Sequence, residues 1–208
     1  MAEPYPVAVL LSGSGTTLEN FFALMDKGAL NIDVRLVVSS RPDAYGIERA
    51  QKRGIPAHVF RRRDYASLDE YTAAVFVPVR ASGAKLVLLA GFMVQIAVLP
   101  DFKNRIMNVH PALIPAFCGK GLYGHYAHEA VIKSGVKISG CTVHFVDDEY
   151  DHGQIIVQRP VPVYFDDTPD TLAERVQAEE RIAYPEAVRL FIEGRLEVVG
   201  NRVKVKGA

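Results

Sequence analysis

A surplus of charge of one sign is missing from this chain. Lys plus Arg and Asp plus Glu both number 24, so the formal net charge is zero. A general nucleic-acid binder carries a basic excess, and its absence argues against nucleic acid as a partner. An anionic substrate must then be held by local groups rather than by a global field. Cysteine is scarce. Cys118 and Cys141 alone make no disulfide framework, which fits a reducing cytoplasm. The start, Met1-Ala2-Glu3-Pro4-Tyr5-Pro6, lacks a basic segment followed by a long apolar one, so no signal peptide is expected. Long apolar runs are missing too, and none approaches a membrane-spanning length. The longest, residues 86–93, is interrupted by Gly91 and reads as a buried strand and its exit. Internal repeats and low-complexity linkers are also absent. With 208 residues, 49% hydrophobic and 23% charged, a single domain over 1–208 with a sizeable core is expected.

Short apolar runs alternate with segments of helical spacing. Residues 7–11 form a continuous apolar run ending in a glycine turn, which suits a strand buried on both faces. Leu18, Phe21, Phe22 and Met25 then recur at helical spacing over 18–27. Strands follow at 34–38, 57–60, 85–90 and 105–109, with helices at 43–53 and from a Ser67 cap to about 81. Glu70 is the capping-box partner of Ser67. This βαβα order predicts a doubly wound, mostly parallel sheet with helices on both faces. After His110 the rhythm changes. Residues 111–124 predict an ordered loop, 127–134 a short helix, and 139–146 and 154–163 two strands joined by an acidic segment. Residues 168–193 predict a long helix, kinked or split at Pro185. The end predicts an antiparallel hairpin, 196–199 and 202–205, around Gly200-Asn201.

Two segments carry chemistry. Residues 11–18 read strand, glycine turn, helix start. The first backbone N–H groups of such a helix lack helical partners and, with the helix dipole, favour a phosphate. Gly13 and Gly15 allow close approach, while Ser12, Ser14, Thr16 and Thr17 add hydroxyls. No lysine follows the last glycine, so this is not a Walker loop. A tight turn capped by Thr16 or Thr17 explains the segment about equally well. The second segment is Asn108-Val109-His110-Pro111 at the end of the fifth strand. Residues two apart face the same side, so Asn108 and His110 can face one site at the carboxyl edge of the sheet. A carboxamide and an imidazolium converging there would clamp an oxyanion. Downstream, Asp147, Asp148, Glu149 and Asp151 place four carboxylates in five residues. By itself that reads as a solvated turn. His144 and His152 invite a metal reading, but the spacing is not that of a calcium loop, and no metal is expected.

These segments, together with Leu89-Ala90-Gly91-Phe92-Met93, Thr142 to Asp151, Ala173-Glu174-Arg175-Val176-Gln177 and Tyr184-Pro185, resemble the folate-dependent glycinamide ribonucleotide formyltransferases of purine synthesis. The likeness covers nearly the whole chain. It implies a Rossmann-like formyltransferase fold, with residues 1–110 on the phosphate side and 111–208 carrying the folate loop and C-terminal elements. It implies 10-formyltetrahydrofolate as co-substrate and glycinamide ribonucleotide as the amine that accepts the formyl group. Asn108, His110 and Asp151 match the catalytic positions. Asp151 would raise the His110 pKa, keep it cationic, and take the amine proton. Gly13, Gly15, Thr16, Thr17, Gln177 and Glu180 match the amino-substrate side. Met93, Val94, Gln95, Ile96, Asn108, Asp147, Asp148 and Asp151 match the folate side.

The chain departs from the family pattern at several points. Val94 stands where many members carry arginine, Leu68 where some place an arginine near the folate tail, and Ala112 where a serine is common. The run Arg61-Arg62-Arg63 reads as a solvated basic turn or as a substitute tail contact. Small-molecule partners in the cytoplasm are expected, with no membrane, and a homodimer stays open. Three readings compete: the glycinamide ribonucleotide enzyme, another formyl-folate enzyme (a deformylase or a tRNA formyltransferase-like domain), and a phosphate-binding module with a degenerate site. The deformylases and tRNA enzymes carry an additional domain that is not expected here.

Overall fold

Apolar residues that cannot face water on either side make the first strand. In a computed structural model describing residues 3–207, β1 (Tyr5–Leu11) is buried from Pro6 to Leu11. Met1 and Ala2, which open the segment read for a leader, and Ala208 lie outside the described residues. The chain divides into two compact units, Met1–Met107 and Asn108–Ala208.

The first unit alternates strand and helix as the sequence predicts. Its elements are β1, α1 (Thr16–Asp26), β2 (Ile32–Ser39), α2 (Tyr45–Lys52), β3 (Ala57–Val59), α3 (Leu68–Ala81) and β4 (Leu86–Leu89). The strand order is β3-β2-β1-β4, and each of these pairs is parallel. Leu86 to Leu89 are all buried, as an interior parallel strand requires. Ser67 caps α3 by accepting from the Glu70 N–H at 3.1 Å, while the Glu70 carboxylate accepts from Ala66 N–H rather than from the cap residue itself. Helix α1 begins two residues before its first apolar position, because Gly15 takes the left-handed conformation (φ 71°) and serves as its N-cap. Helix α2 begins later than expected. Asp43 is bound to Arg41 in the preceding turn, and Ala44 is extended.

The second unit begins within β5 (Ile106–His110) and continues through α4 (His125–Ser134), β6 (Ile138–Phe145), β7 (Ile155–Pro162), α5 (Pro169–Ile192) and the hairpin β8 (Leu196–Val199) and β9 (Arg202–Val205). The strand order here is β5-β6-β7, with β6 and β7 antiparallel, and β8-β9 forms a separate antiparallel pair. Helix α5 packs on β6 and β7, with Phe191 edge-on to Phe145 at 6.2 Å. The expected break at Pro185 does not occur as a split. The helix runs through it, and Pro185 lies buried beside Tyr184, Ala187 and Val188. A proline inside a helix costs about 3 kcal/mol. Burying several apolar side chains at about 1.5–3 kcal/mol each outweighs that.

The fold class is the expected one, a mostly parallel sheet with helices on both sides and a small antiparallel addition. Among the described residues, no helix is long and apolar enough to cross a membrane.

Candidate active site

Asn108 and His110 occupy the last turns of the pleat in β5, two residues apart, and both turn toward Asp151. The Asn108 Nδ2 lies 3.5 Å from Asp151 Oδ1, and His110 Nδ1 lies 3.4 Å from Asp151 Oδ2. Gly119 donates its backbone N–H to the same Oδ2 at 3.0 Å. His144, on β6, brings its Nε2 to 3.4 Å from Asn108 Nδ2 and 3.7 Å from Asp151 Oδ1. The catalytic trio named from the sequence is thus gathered around one carboxylate. Asp151 itself sits at φ 55°, a left-handed conformation that Asp and Asn tolerate better than other side chains. The base of its loop is tight. A Cβ on Gly153 would run into the Phe145 carbonyl, and Phe145 N–H closes the loop on Gln154 at 2.9 Å.

Tautomers follow from the acceptors. A carbonyl can only accept, so His144 Nδ1 carries a proton for the Phe145 carbonyl at 2.7 Å, and its Nε2 faces both Asn108 and Asp151. By the same reasoning His110 Nε2–H donates to the Phe117 carbonyl at 2.8 Å, which leaves Nδ1 facing Asp151. Burial pulls the His110 pKa below its ordinary 6.5, and Asp151 and the Phe117 carbonyl raise it by less. This corrects the expectation that Asp151 keeps the ring cationic. In the free protein the imidazole is neutral near pH 7, because desolvation outweighs the neighbouring charge. Burial alone would raise the Asp151 carboxyl, but His144, the nearby His110 and the Gly119 N–H together hold it below the usual carboxylate range.

The loop after His110 is fixed by two polar side chains of the strands. Thr142 Oγ1 donates to the Ala112 carbonyl at 2.7 Å and accepts from Ile114 N–H at 3.1 Å. Gln158, its register partner on β7, holds the Ile114 carbonyl at 2.9 Å. The Cys118 thiol, 3.3 Å from the Pro115 carbonyl, is raised by burial and by Asp151, so it is a poor thiolate.

The acidic turn divides its labour. Asp147 caps its own loop, accepting from Glu149 N–H at 3.0 Å and from His152 Nδ1 at 2.8 Å, while Asp148 is exposed. Only Asp151 turns inward. Among the described residues no group of three or more His, Cys, Asp or Glu is placed to hold a metal ion.

On α5, Gln177 is exposed and Glu180, one helical turn on, is half-buried. Burial pushes the Glu180 carboxyl up from an ordinary 4.5 to about 7. Its charge also contributes to raising the buried Cys141 thiol. The sign of the consequence is fixed. Protonated Glu180 is favoured in the fold, so its stabilisation is full below pH 4.5 and lost as pH rises through 7. Glu180→Gln is therefore expected to be more stable than wild type by about 2–3 kcal/mol at pH 8 and equal to it at pH 4.5. Urea unfolding at the two pH values checks this, and an equal gain at both would show that charge is not the cause.

In the first unit, the glycine turn is open at its mouth and tight at its base. Gly13 is exposed with no neighbour near its Cα face, whereas a Cβ on Gly15 would meet the Gly46 Cα at 2.7 Å. No side chain caps α1, so the alternative of a turn capped by Thr16 or Thr17 is not what forms. Thr16 is exposed and Thr17 half-buried at the open helix start. Ser12 is a different matter. It is buried, and its hydroxyl is taken by Ser40 at 2.6 Å and by Met93 N–H at 2.8 Å, so it adds no donor for a ligand. Met93 is exposed, Val94 and Gln95 are half-buried, and Ile96 is buried, all in the irregular stretch after β4. Arg61 is paired with Asp64, and Arg62 is bound to the Tyr65 carbonyl.

Sequence reasoning missed two residues. His144 is weighed from sequence as a metal ligand and set aside as a strand residue, with no place beside Asn108 and Asp151, although it is the one charged-type side chain in the buried run of β6. Arg49 of α2 lays its guanidinium on the Ser14 carbonyl at 2.9 Å and on Glu19 at 2.6 Å, beside the glycine turn. Nothing local marks it, because the contact depends on how α2 packs on α1.

Residues 6–188 match the family described as formyl transferase. The crystal structure of glycinamide ribonucleotide transformylase 1 from Symbiobacterium toebii is 42% identical, with a TM-score of 0.91 over 99% of this chain and 95% of that one. A chloroplastic phosphoribosylglycinamide formyltransferase of Arabidopsis thaliana is 41% identical over 92% of this chain and 66% of its own length. The phosphoribosylglycinamide formyltransferase of Haemophilus influenzae is 32% identical over 97% of this chain and 93% of its own. The chain spans just under two thirds of the Arabidopsis protein and 19% or less of the trifunctional purine biosynthetic proteins it also matches. The chain belongs to the formyl transferase family, among its phosphoribosylglycinamide formyltransferases.

Proposed function

We propose that this chain, acting as a single formyltransferase domain over 1–208, moves a formyl group from 10-formyltetrahydrofolate to the amino group of glycinamide ribonucleotide in purine synthesis. The observation that carries this reading is the gathering of Asn108, His110 and the Gly119 N–H around the carboxylate of Asp151 at the end of β5. The donor set suits a formyl oxygen, which needs N–H groups and no metal.

The folate supplies the formyl carbon. Asn108 exchanges its long 3.5 Å contact with Asp151 for the formyl oxygen as negative charge grows there. His110 stays anchored through Nε2–H on Phe117 and works from Nδ1. It gains its proton only when that charge offsets the burial that keeps the ring neutral. Asp151, ionised and within reach of both, takes the proton that the attacking amine loses as the new C–N bond forms, and a proton goes to the folate nitrogen as its bond to the formyl carbon breaks and tetrahydrofolate leaves. Gly13, Gly15, Thr16 and Thr17 hold the 5′-phosphate with the open amides of α1. Gln177 and Glu180 hold the amine end, and Met93 to Ile96 with Asp147 and Asp148 take the folate. The substrates are small molecules handled in the cytoplasm, and neither nucleic acid nor a membrane has a part.

The test follows folate absorbance with a 10-formyl folate and purified chain, with and without glycinamide ribonucleotide. Release that requires the amine is the expected result. Release into water alone would make the chain a deformylase, and no release with phosphate-ligand binding retained would make it a binding module. Because an amine is held best by ionised Glu180, Glu180→Gln is also expected to raise the amine KM about tenfold or more above pH 7 and to flatten its rise toward acid.

A further inference from the structure

The stretch assigned to the folate has an unusual support. After β4 the backbone enters neither helix nor strand until a short 3-10 turn at Pro100–Phe102. Its amides need partners nonetheless. Two are supplied by buried hydroxyls: Met93 N–H donates to Ser12 Oγ at 2.8 Å, and Ala97 N–H donates to Thr72 Oγ1 at 3.0 Å. Ser12 is 4% exposed and Thr72 fully buried.

Ser12 stands one residue past β1 and directly before the phosphate turn. It acts in three directions. Its N–H donates to the Gly91 carbonyl at 3.1 Å, its hydroxyl accepts from Met93, and the same hydroxyl shares a proton with Ser40 Oγ at 2.6 Å. Ser40 N–H in turn holds the Leu11 carbonyl at 3.1 Å. The phosphate turn has its own anchors, Gly46 N–H on the Gly13 carbonyl at 3.1 Å and Arg49 on Ser14. Among the described residues the Met93 amide has only Ser12.

We infer that Ser12 is a positioning residue, whose buried hydroxyl sets the folate-side backbone at Met93 at a fixed distance from the phosphate turn. This rests on the formyl-transfer reading above for what Met93 to Ile96 bind. An alanine fills the same buried space but leaves the Met93 amide without its acceptor, so the segment swings or hydrates. The turn keeps its backbone bonds.

Three variants test it. Ser12→Ala is expected to raise the folate KM about tenfold, the value of one buried hydrogen bond, with kcat and the amine KM within about threefold of wild type. Amide exchange at Met93, slow in wild type, becomes fast. Ser40→Ala removes the other partner of the same hydroxyl and is expected to lose similar thermal stability while leaving the folate KM and Met93 exchange unmoved. Ser12→Thr, which keeps the hydroxyl, is expected to restore the folate KM. An unchanged folate KM in Ser12→Ala, or an equal rise in Ser40→Ala, overturns the inference. Binding of 5-formyltetrahydrofolate, which does not transfer its group, is measured calorimetrically on the same proteins. A wild type that binds 5-formyltetrahydrofolate but does not turn over 10-formyltetrahydrofolate with the amine would sink the formyl-transfer reading and leave the comparison of Ser12→Ala with wild type to decide the role of Ser12.

Discussion

Asp151→Asn is expected to lower kcat by about 10³-fold while leaving the melting temperature within a few degrees of wild type. The reason is geometric. Asparagine tolerates the left-handed backbone at φ 55°, and its amide oxygen still accepts from Gly119 N–H. What it loses is the negative charge. That charge is the main influence raising the His110 pKa against burial, and in the proposed mechanism it is the acceptor for the amine proton. Without it the imidazole stays neutral deeper into acid, and the proton has no destination. Steady-state kinetics beside a thermal melt separate the two effects. A variant that turns over within about tenfold of wild type would remove Asp151 from the chemistry.

Asn108→Ala is expected to cost about 10²–10³ in kcat with little change in stability. Its contacts in the free protein, 3.4 Å to His144 and 3.5 Å to Asp151, are too long to contribute much to the fold. A residue that stabilises little yet matters greatly for turnover is one whose best partner is the reacting oxygen. His144 sharpens this. With its Nδ1–H committed to the Phe145 carbonyl, its Nε2 faces the same Asp151 oxygen as the Asn108 amide and helps hold that carboxylate ionised beside it. If Asn108→Ala instead lost several degrees in melting temperature and less than tenfold in kcat, Asn108 would be a packing residue.

Much of this was legible in the sequence, and the gaps have physical causes. The apolar runs of β1 and β4 and the helical spacing of α1 are periodic signals that burial enforces, so element type was readable from residues 7–27 and 86–89. Asn108 and His110 were readable from strand parity. Asp151 was not separable from Asp147 and Asp148 by pattern, because all three are aspartates of one turn. Only the inward bend at a left-handed residue distinguishes them. His144 pairs with a residue 36 positions away, a contact that no local rule reveals. The Phe117 carbonyl and Gly119 N–H, which set the His110 tautomer and bind Asp151, are backbone groups and leave no mark on residue identity. The His110 charge state was misjudged for a related reason. The neighbouring aspartate could be named from sequence, but the depth of burial that outweighs it could not.

The central claim is that an amine, not water, receives the formyl group at the site around Asp151. Supplying 10-formyltetrahydrofolate with an isotopically labelled formyl carbon and glycinamide ribonucleotide, and then following the label by mass spectrometry, tests it most directly. The account predicts label in the formylated ribonucleotide, one for each tetrahydrofolate formed, and its loss in Asp151→Asn. Label recovered as formate at the same rate with or without the amine would contradict it.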